Sequence, residues 1–296
     1  MMKHLPEQVQ NFIENSTDEQ RVENIKKFKW IGYSLAQKTI AEFENLLTYP
    51  RSHRMPNILL VGDSNNGKTA ILNRFIKKNE SFVDENTGEL RVPALMIQAP
   101  PEPDEKRFYN SILEELFAPI KSSEKPSIRQ QRVIHLLKRT DTKVLVIDEI
   151  HHILAGTMTR QRVFLNVLKY LSNELKISLV CAGTRDAFNA IQTDPQLANR
   201  FNPKVIKKWK NDEEFLRLLA SFERILPLKK NSQLIESGIA MKVLAMSEGL
   251  IGEIAKILEL SAILAIESGI EKITKSVLDN IEFVSPGDRK KMLYKM

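Results

Sequence analysis

The sequence predicts an α/β protein, a five-stranded parallel sheet covered by helices on both faces, with a small all-helical unit after it. Three observations carry this prediction. Strand-like and helix-like segments alternate from Asn57 to Ile206, as repeated strand–helix–strand units do. The apolar run Asn57-Ile58-Leu59-Leu60-Val61 leads into Gly62-Asp63-Ser64-Asn65-Asn66-Gly67-Lys68-Thr69 and then an amphipathic stretch, Ala70 to Lys78. That order is the strand, loop and helix a phosphate-cradling motif needs. After about Asn211 the strand pattern stops and only helical periodicity continues.

The elements follow in chain order. Thr17 and Gln20 have the spacing of a capping box, with Val22, Ile25 and Phe28 at helical intervals behind them. A second helix is expected over Ser34–Leu47, and Pro50 and Pro56 bracket a basic linker with Arg51, His53 and Arg54. Strands are expected near 57–61, 93–98, 143–148, 177–182 and 203–206, and helices near 68–78, 105–117, 127–139, 160–175 and 185–192. Residues 80–91 read as an exposed loop or hairpin; further helices fall near 212–224, 232–246, 251–268 and 274–282. The tail from Pro286 to Met296 carries Arg289, Lys290, Lys291 and Lys295 and is expected to be mobile, a solvated end or a handle for a partner. These patterns divide the chain into a helical arm (1–50), a nucleotide-binding α/β domain (51–210), a helical lid (211–285) and a basic tail (286–296).

Composition narrows the classes. At 296 residues, 42% hydrophobic and 27% charged, the chain reads as an ordinary globular protein. No apolar run is long enough to cross a bilayer, and Met1 to Gln10 lacks the apolar core of a secretion signal. The expectation is a cytoplasmic protein of bacterial type with no membrane partner. Cys181 is the single cysteine, which excludes an intrachain disulfide, and its apolar surroundings suit a buried strand residue. His151 and His152 stand close behind two acidic residues. Adjacent residues do not share one helix face, so a zinc site is not expected. The net charge of +7 fits a polyanionic partner without requiring one.

The loop glycines let backbone N–H groups close on a phosphate chain, and the helix N-terminus adds partial positive charge. Gly62, Asp63, Ser64, Asn65, Asn66, Gly67, Lys68, Thr69 and Ala70 are therefore the candidate triphosphate cradle. Lys68 is placed to reach the terminal phosphates, and the Thr69 hydroxyl to hold Mg²⁺. A second hydrophobic strand, Lys143 to Ile147, ends in Asp148 and Glu149. Asp148 suits the Mg²⁺ shell and Glu149 suits polarising an attacking water. Thr184, in Ala182-Gly183-Thr184-Arg185, would stand beside the γ-phosphate or simply cap a helix. Arg200 precedes the last strand; it reads as an arginine acting in trans on a neighbouring subunit, or as a surface ion pair.

Together these features resemble an AAA+ ATPase, and within that superfamily the TniB/TnsC group of transposition regulators. The resemblance rests on Trp30-Ile31-Gly32-Tyr33, Arg54-Met55-Pro56-Asn57, the phosphate loop, Asp148-Glu149-Ile150-His151-His152-Ile153-Leu154-Ala155-Gly156, Arg160-Gln161-Arg162, Leu171-Ser172-Asn173-Glu174-Leu175, Ala182-Gly183-Thr184-Arg185 and Leu197-Ala198-Asn199-Arg200-Phe201. It implies ATP and Mg²⁺ as cofactors, binding to double-stranded DNA, and self-assembly into rings or helical filaments. It also implies a role linking a TniQ-like target selector to a DDE-type transposase. ATP would act as a switch on assembly.

The resemblance further points to Lys106 and Arg107, and to Thr157, Arg160 and Arg162, as DNA contacts directed at phosphates. Ile31 and Tyr33 are candidate neighbours of the adenine base. One passage departs from the pattern. Where many AAA+ lids present an arginine, this chain has Glu248-Gly249-Leu250-Ile251-Gly252-Glu253-Ile254, leaving Gly252 or Glu253 to pack or hydrogen-bond near the nucleotide. Slow turnover, suited to a timer, is the expectation. The rival readings are a replication-loader type, for which no winged-helix unit is expected after residue 284, and a nucleotide-switched signalling protein that binds no DNA.

Overall fold

The run from Asn57 to Gly62 forms a strand, β1, with every residue buried, so both of its faces are covered. Residues 2–192 and 194–294 are described by a computed structural model. Two equally buried strands, Val144–Asp148 (β5) and Ser178–Gly183 (β6), join β1 in the sheet with Ala94–Gln98 (β4) and Phe201–Ile206 (β7). The order is β4-β5-β6-β1-β7 and every pairing is parallel. Pro203 lies in β7, an edge strand, where its missing N–H costs no inner ladder bond. A two-stranded hairpin, Phe82–Val83 (β2) with Leu90–Arg91 (β3), fills the turn-rich stretch.

Among the described residues, seven helices accompany this sheet: α3 (Ser34–Leu47), α4 (Lys68–Lys78), α5 (Glu105–Glu115), α6 (Pro126–Arg139), α7 (Met158–Leu175), α8 (Arg185–Gln192) and the short α9 (Pro195–Ala198). Alternate strand residues face opposite sides. Leu59, Leu145, Ile147 and Leu179 bury one side against Phe108, Ile112, Val133, Phe164 and Leu171 of α5, α6 and α7. Helix α4 packs across β1, β4, β5 and β6 and meets α3 through an edge-on Phe43–Phe75 contact. Cys181 is fully buried in β6 and its thiol is pushed up by desolvation, as expected of a core residue.

Contacts divide the chain into this α/β unit, Leu35–Ile206, and a helical unit, Met1–Ser34 with Lys207–Met296. The stretch read from sequence as one arm, 1–50, is thus shared between the two units. The helical unit contains α1 (Glu7–Glu14), α2 (Asp18–Lys26), α10 (Glu213–Ile225), α11 (Ser237–Ser247), α12 (Ile251–Glu267), α13 (Lys275–Asn280) and α14 (Pro286–Tyr294). The capping box at Thr17 and Gln20 forms in both directions. Ile25 joins Phe215, Leu219, Val243, Ile254, Leu258 and Val277 in a single apolar core.

The basic tail is helical and contacts its own unit. Pro286–Tyr294 is a helix whose Arg289 donates to the buried carboxylate of Glu253, 3.1 Å at one oxygen and closer at the other. Glu248 also accepts from the Gly287 N–H. Lys295 lies outside the described residues.

Arg21 is fully buried within this unit, forking onto Glu271 at 2.6 and 3.0 Å and donating to the Pro227 carbonyl at 3.1 Å. Burial alone would raise the Glu271 carboxyl; Arg21 and Lys229 together hold it below its ordinary value of 4.5. A depressed carboxylate stabilises the fold above its unfolded pKa, and that contribution is lost as pH falls through the folded value. Arg21→Met should cost up to about 3–5 kcal/mol at neutral pH by removing the buried guanidinium from a carboxylate left with only its Lys229 contacts. Denaturant unfolding should also show a weaker loss of stability below pH 4.5 than in the parent; an equal acid dependence would remove this pair as its source.

Candidate functional site

The site is built where β1, β6 and β5 end. Because these strands run parallel, their C-terminal residues emerge on one edge of the sheet, where α/β folds bind ligands. Register fixes the neighbours: Val61 lies level with Gly183, and Ile147 with Cys181. The residues that follow, Gly62 to Lys68, Thr184, and Asp148 with Glu149, are therefore drawn to one rim by the pairing itself.

The loop after β1 turns through two left-handed residues, Asn65 at φ 58° and Gly67 at φ 82°. Gly67 is the N-cap of α4. Gly62 has its own reason to lack a side chain, since a Cβ there would sit 3.1 Å from the Ile206 carbonyl oxygen. Asn66 is almost fully buried and its amide donates to that same carbonyl at 3.1 Å, tying the loop to β7. Its Oδ1 is a buried acceptor with no hydrogen-bond partner among the described residues.

Lys68 is 5% exposed and curls over the loop, donating to the Gly62 and Asp63 carbonyls at 3.0 and 2.9 Å. Desolvation lowers its pKa, while the charges of Glu149, Asp148 and Asp63 act in the opposite sense. Beside it, the Thr69 hydroxyl donates to Asp148 Oδ2 at 2.6 Å. Asp148 is 4% exposed and its other oxygen accepts the Glu149 N–H at 2.8 Å. Two oxygens of hard character, from residues 79 positions apart, thus meet next to the phosphate loop, the donor set that suits Mg²⁺.

Glu149 has left-handed backbone, φ 54°, and a short 3₁₀ turn, Ile150–Ala155, follows it. The reversal swings the Glu149 side chain back over that turn, with Oε2 3.0 Å from His151 Nδ1. His152 Nδ1 donates to the Ala99 carbonyl at 3.1 Å. Sequence reasoning treated the two histidines as unrelated donors on a regular helix. The structure corrects this: Glu149, His151 and His152 offer ligand atoms that all lie within 4.8 Å of one another. A run of Asp-Glu followed by two histidines was the available signal, and the assumption of α-helical geometry hid it.

Thr184 is half-buried directly after β6 and ahead of α8. Gly183 before it is crowded, since a Cβ would meet Ala187 and Ile150 side chains at 2.9 Å. Arg200 lies elsewhere. Its carbonyl accepts the Asn57 N–H, so it stands at the start of β1, while the phosphate loop stands at the end. Six residues of strand separate the two, about 20 Å at about 3.3 Å per residue. Its guanidinium donates to Asn173 at 2.6 Å.

The remaining candidates form two groups. Lys106 and Arg107 are exposed in the first turn of α5, capped by Asp104. Thr157 caps α7, and Arg160 and Arg162 are exposed in its first turns. These segments follow β4 and β5 and touch each other: Arg160 lies 3.5 Å from Glu102, and a Cβ on Gly156 would strike Pro103 at 2.6 Å. In the helical unit, Tyr33 meets Trp209 edge-on at 5.0 Å and burial raises its pKa to about 12. Ile31 packs on the core of that unit, and Gly252 lies in the first turn of α12.

Known proteins supply the context. The model of the family described as "Bacterial TniB protein" matches residues 21–211. No curated protein sequence matches the chain significantly. Among solved structures, Cdc6p from Pyrobaculum aerophilum is 15% identical with a TM-score of 0.61, covering 93% of this chain and 74% of its own. Aeropyrum pernix ORC1, solved in complex with DNA, is 14% identical with a TM-score of 0.57, covering 92% and 69%. ORC2 of the same organism, with ADPNP and ADP, is 13% identical with a TM-score of 0.58, covering 82% of this chain and 65% of its own. The chain thus spans about two-thirds to three-quarters of these proteins, and at such identities the likeness shows a shared fold: the AAA+ nucleoside-triphosphatase architecture with its five-stranded parallel sheet. No helix among the described residues is long and apolar enough to cross a membrane.

Proposed function

The chain belongs to the bacterial TniB family, and from that premise we propose that it is an ATP-dependent, DNA-binding AAA+ regulator of transposition. It assembles on duplex DNA when loaded with ATP and links a TniQ-like target selector to a DDE-type transposase. The observation that carries the nucleotide part is the Thr69–Asp148 hydrogen bond of 2.6 Å beside a buried Lys68. A bound Mg²⁺ would neutralise phosphate charge, held by the Thr69 and Asp148 oxygens. Asn66 Oδ1, buried and without a partner, fits a cradle whose polar groups await a ligand.

The residues act as follows in this reading. The loop N–H groups and Lys68 bind the phosphate chain and orient its terminal group. Glu149, in the left-handed residue that follows β5, takes a proton from the attacking water. Thr184, one strand away, hydrogen-bonds near the same phosphate. Arg200 cannot reach its own chain's loop across the length of β1 and serves a neighbour's site instead. Lys106, Arg107, Thr157, Arg160 and Arg162 share one rim and contact DNA phosphates. Ile31, Tyr33 and Gly252 border the base.

A second reading is favoured by the fold neighbours, which are origin-recognition and Cdc6 proteins. It makes this chain a loader or initiator acting in replication, with the same nucleotide chemistry and a different partner.

Three tests follow. Electron microscopy with a non-hydrolysable ATP analogue should show collars or filaments only when duplex is also present; equal coating without nucleotide, or by Lys68→Ala, refutes the switch. Arg200→Ala should reduce turnover about 10³-fold or more, and mixing it with Glu149→Gln should restore part of the rate, because the second variant lends its arginine. Absence of recovery would place Arg200 outside a shared site. Lys106→Ala and Arg107→Ala should each flatten the salt dependence of duplex affinity by about 0.9 in log–log slope; an unaltered slope removes that residue from the interface.

A further inference from the structure

We propose that Glu149, His151 and His152 form a second metal site, selective for zinc-like divalent ions, and that its occupation halts turnover. Three features of the geometry point to it. The three ligand atoms lie within 4.8 Å of one another, and no other such trio is found among the described residues. His151 Nδ1 is buried and makes no well-directed hydrogen bond, yet Glu149 Oε2 lies only 3.0 Å away. His152, finally, is already held as a ligand would be. A carbonyl can only accept, so the contact with Ala99 fixes the proton on Nδ1 and leaves Nε2 with its lone pair free, as the outer partner of a metal-bound histidine does.

Tetrahedral zinc with bonds of about 2.0–2.2 Å places its ligand atoms about 3.3–3.6 Å apart. The Glu149–His151 edge, at 3.0 Å, is a few tenths of an ångström short of that spacing, and His152 offers a ligand atom within 4.8 Å of both. Two imidazoles and one carboxylate leave a fourth position for water. This donor set also separates the two ions by chemistry. Mg²⁺ seeks hard oxygens and suits Thr69 with Asp148, whereas nitrogen ligands favour zinc.

The consequence for turnover rests on the reading of Glu149 as the base; the metal site itself does not. A carboxylate bonded to zinc is a much weaker base, because the neighbouring cation disfavours the proton it would take from water. Zinc would therefore freeze the nucleotide-bound state without displacing the nucleotide.

Calorimetric titration of zinc into the nucleotide-free full chain tests the site apart from catalysis. The parent and Lys68→Ala should each bind one zinc, while His151→Asn and His152→Asn should each lose at least about tenfold in affinity. Glu149→Gln, close in shape to the parent, should weaken binding as well and guards against a folding defect in the histidine variants. Cobalt(II) should give the visible absorption of a low-coordinate ion in the parent and lose it in the double histidine variant. Equal zinc affinity in the parent and that double variant overturns the site. With Mg²⁺ and ATP in excess, zinc should stop the parent at the concentration that fills the site and leave the double variant's own rate unchanged. Full occupancy with an undiminished rate would overturn the inhibition, and with it the role of Glu149 as base.

Discussion

The parallel pairing of β1, β6 and β5 is the constraint on which the site depends. Lys68 and Asp148 are eighty positions apart in the chain, and nothing local would unite them. Three fully buried strands, aligned with Val61 level with Gly183 and Ile147 level with Cys181, bring their ends to one edge. The Thr69–Asp148 bond then locks that alignment in polar form. Its cost is the burial of a carboxylate, which a donated hydroxyl and the Glu149 N–H offset. A one-step slip of β5 against β6 would part these groups and turn each strand residue to the wrong face. Core packing and site geometry are therefore the same constraint.

That alignment has a second consequence. A parallel sheet sends every strand's C-terminal residue to one rim and every N-terminal residue to the other. Arg200 enters β7 at the far rim, hydrogen-bonded level with the first residue of β1. If it serves a triphosphate, the phosphate belongs to another copy. The proposed dependence of turnover on assembly thus comes from the direction of the strands and requires no conformational device. The basic residues of α5 and α7 follow β4 and β5, and so emerge on the same rim of the sheet as the loop after β1.

Most of the α/β unit was legible because its signals are local. The apolar runs of β1, β5 and β6 are long enough to be buried on both faces, and the glycines of the loop sit where left-handed or close-packed backbone demands them. Features resting on distant partners were not legible. Residues 1–34 join the helical unit through Ile25 in its core and the Arg21 fork onto Glu271; neither partner is marked by neighbouring sequence. The tail reads as a solvated basic end until Glu253, 36 positions earlier, is seen to accept from Arg289. The segment Glu248–Ile254, which has no arginine of its own, thus meets one from another helix of the same unit through Glu253.

The His151–His152 pair was missed for a different reason, and it shows what Glu149 is made to do. A strand that continued straight would send the Glu149 side chain away from the residues behind it. At φ 54° a non-glycine residue accepts local strain of about 1–2 kcal/mol, and the chain reverses into a 3₁₀ turn. That conformation holds the carboxylate against His151 and among the two imidazoles, while its charge still acts on Lys68. A carboxylate engaged by one set of neighbours is withdrawn from the other. In the proposed reading, this competition for a single side chain, held by one unusual backbone angle, is what couples the imidazole site to turnover.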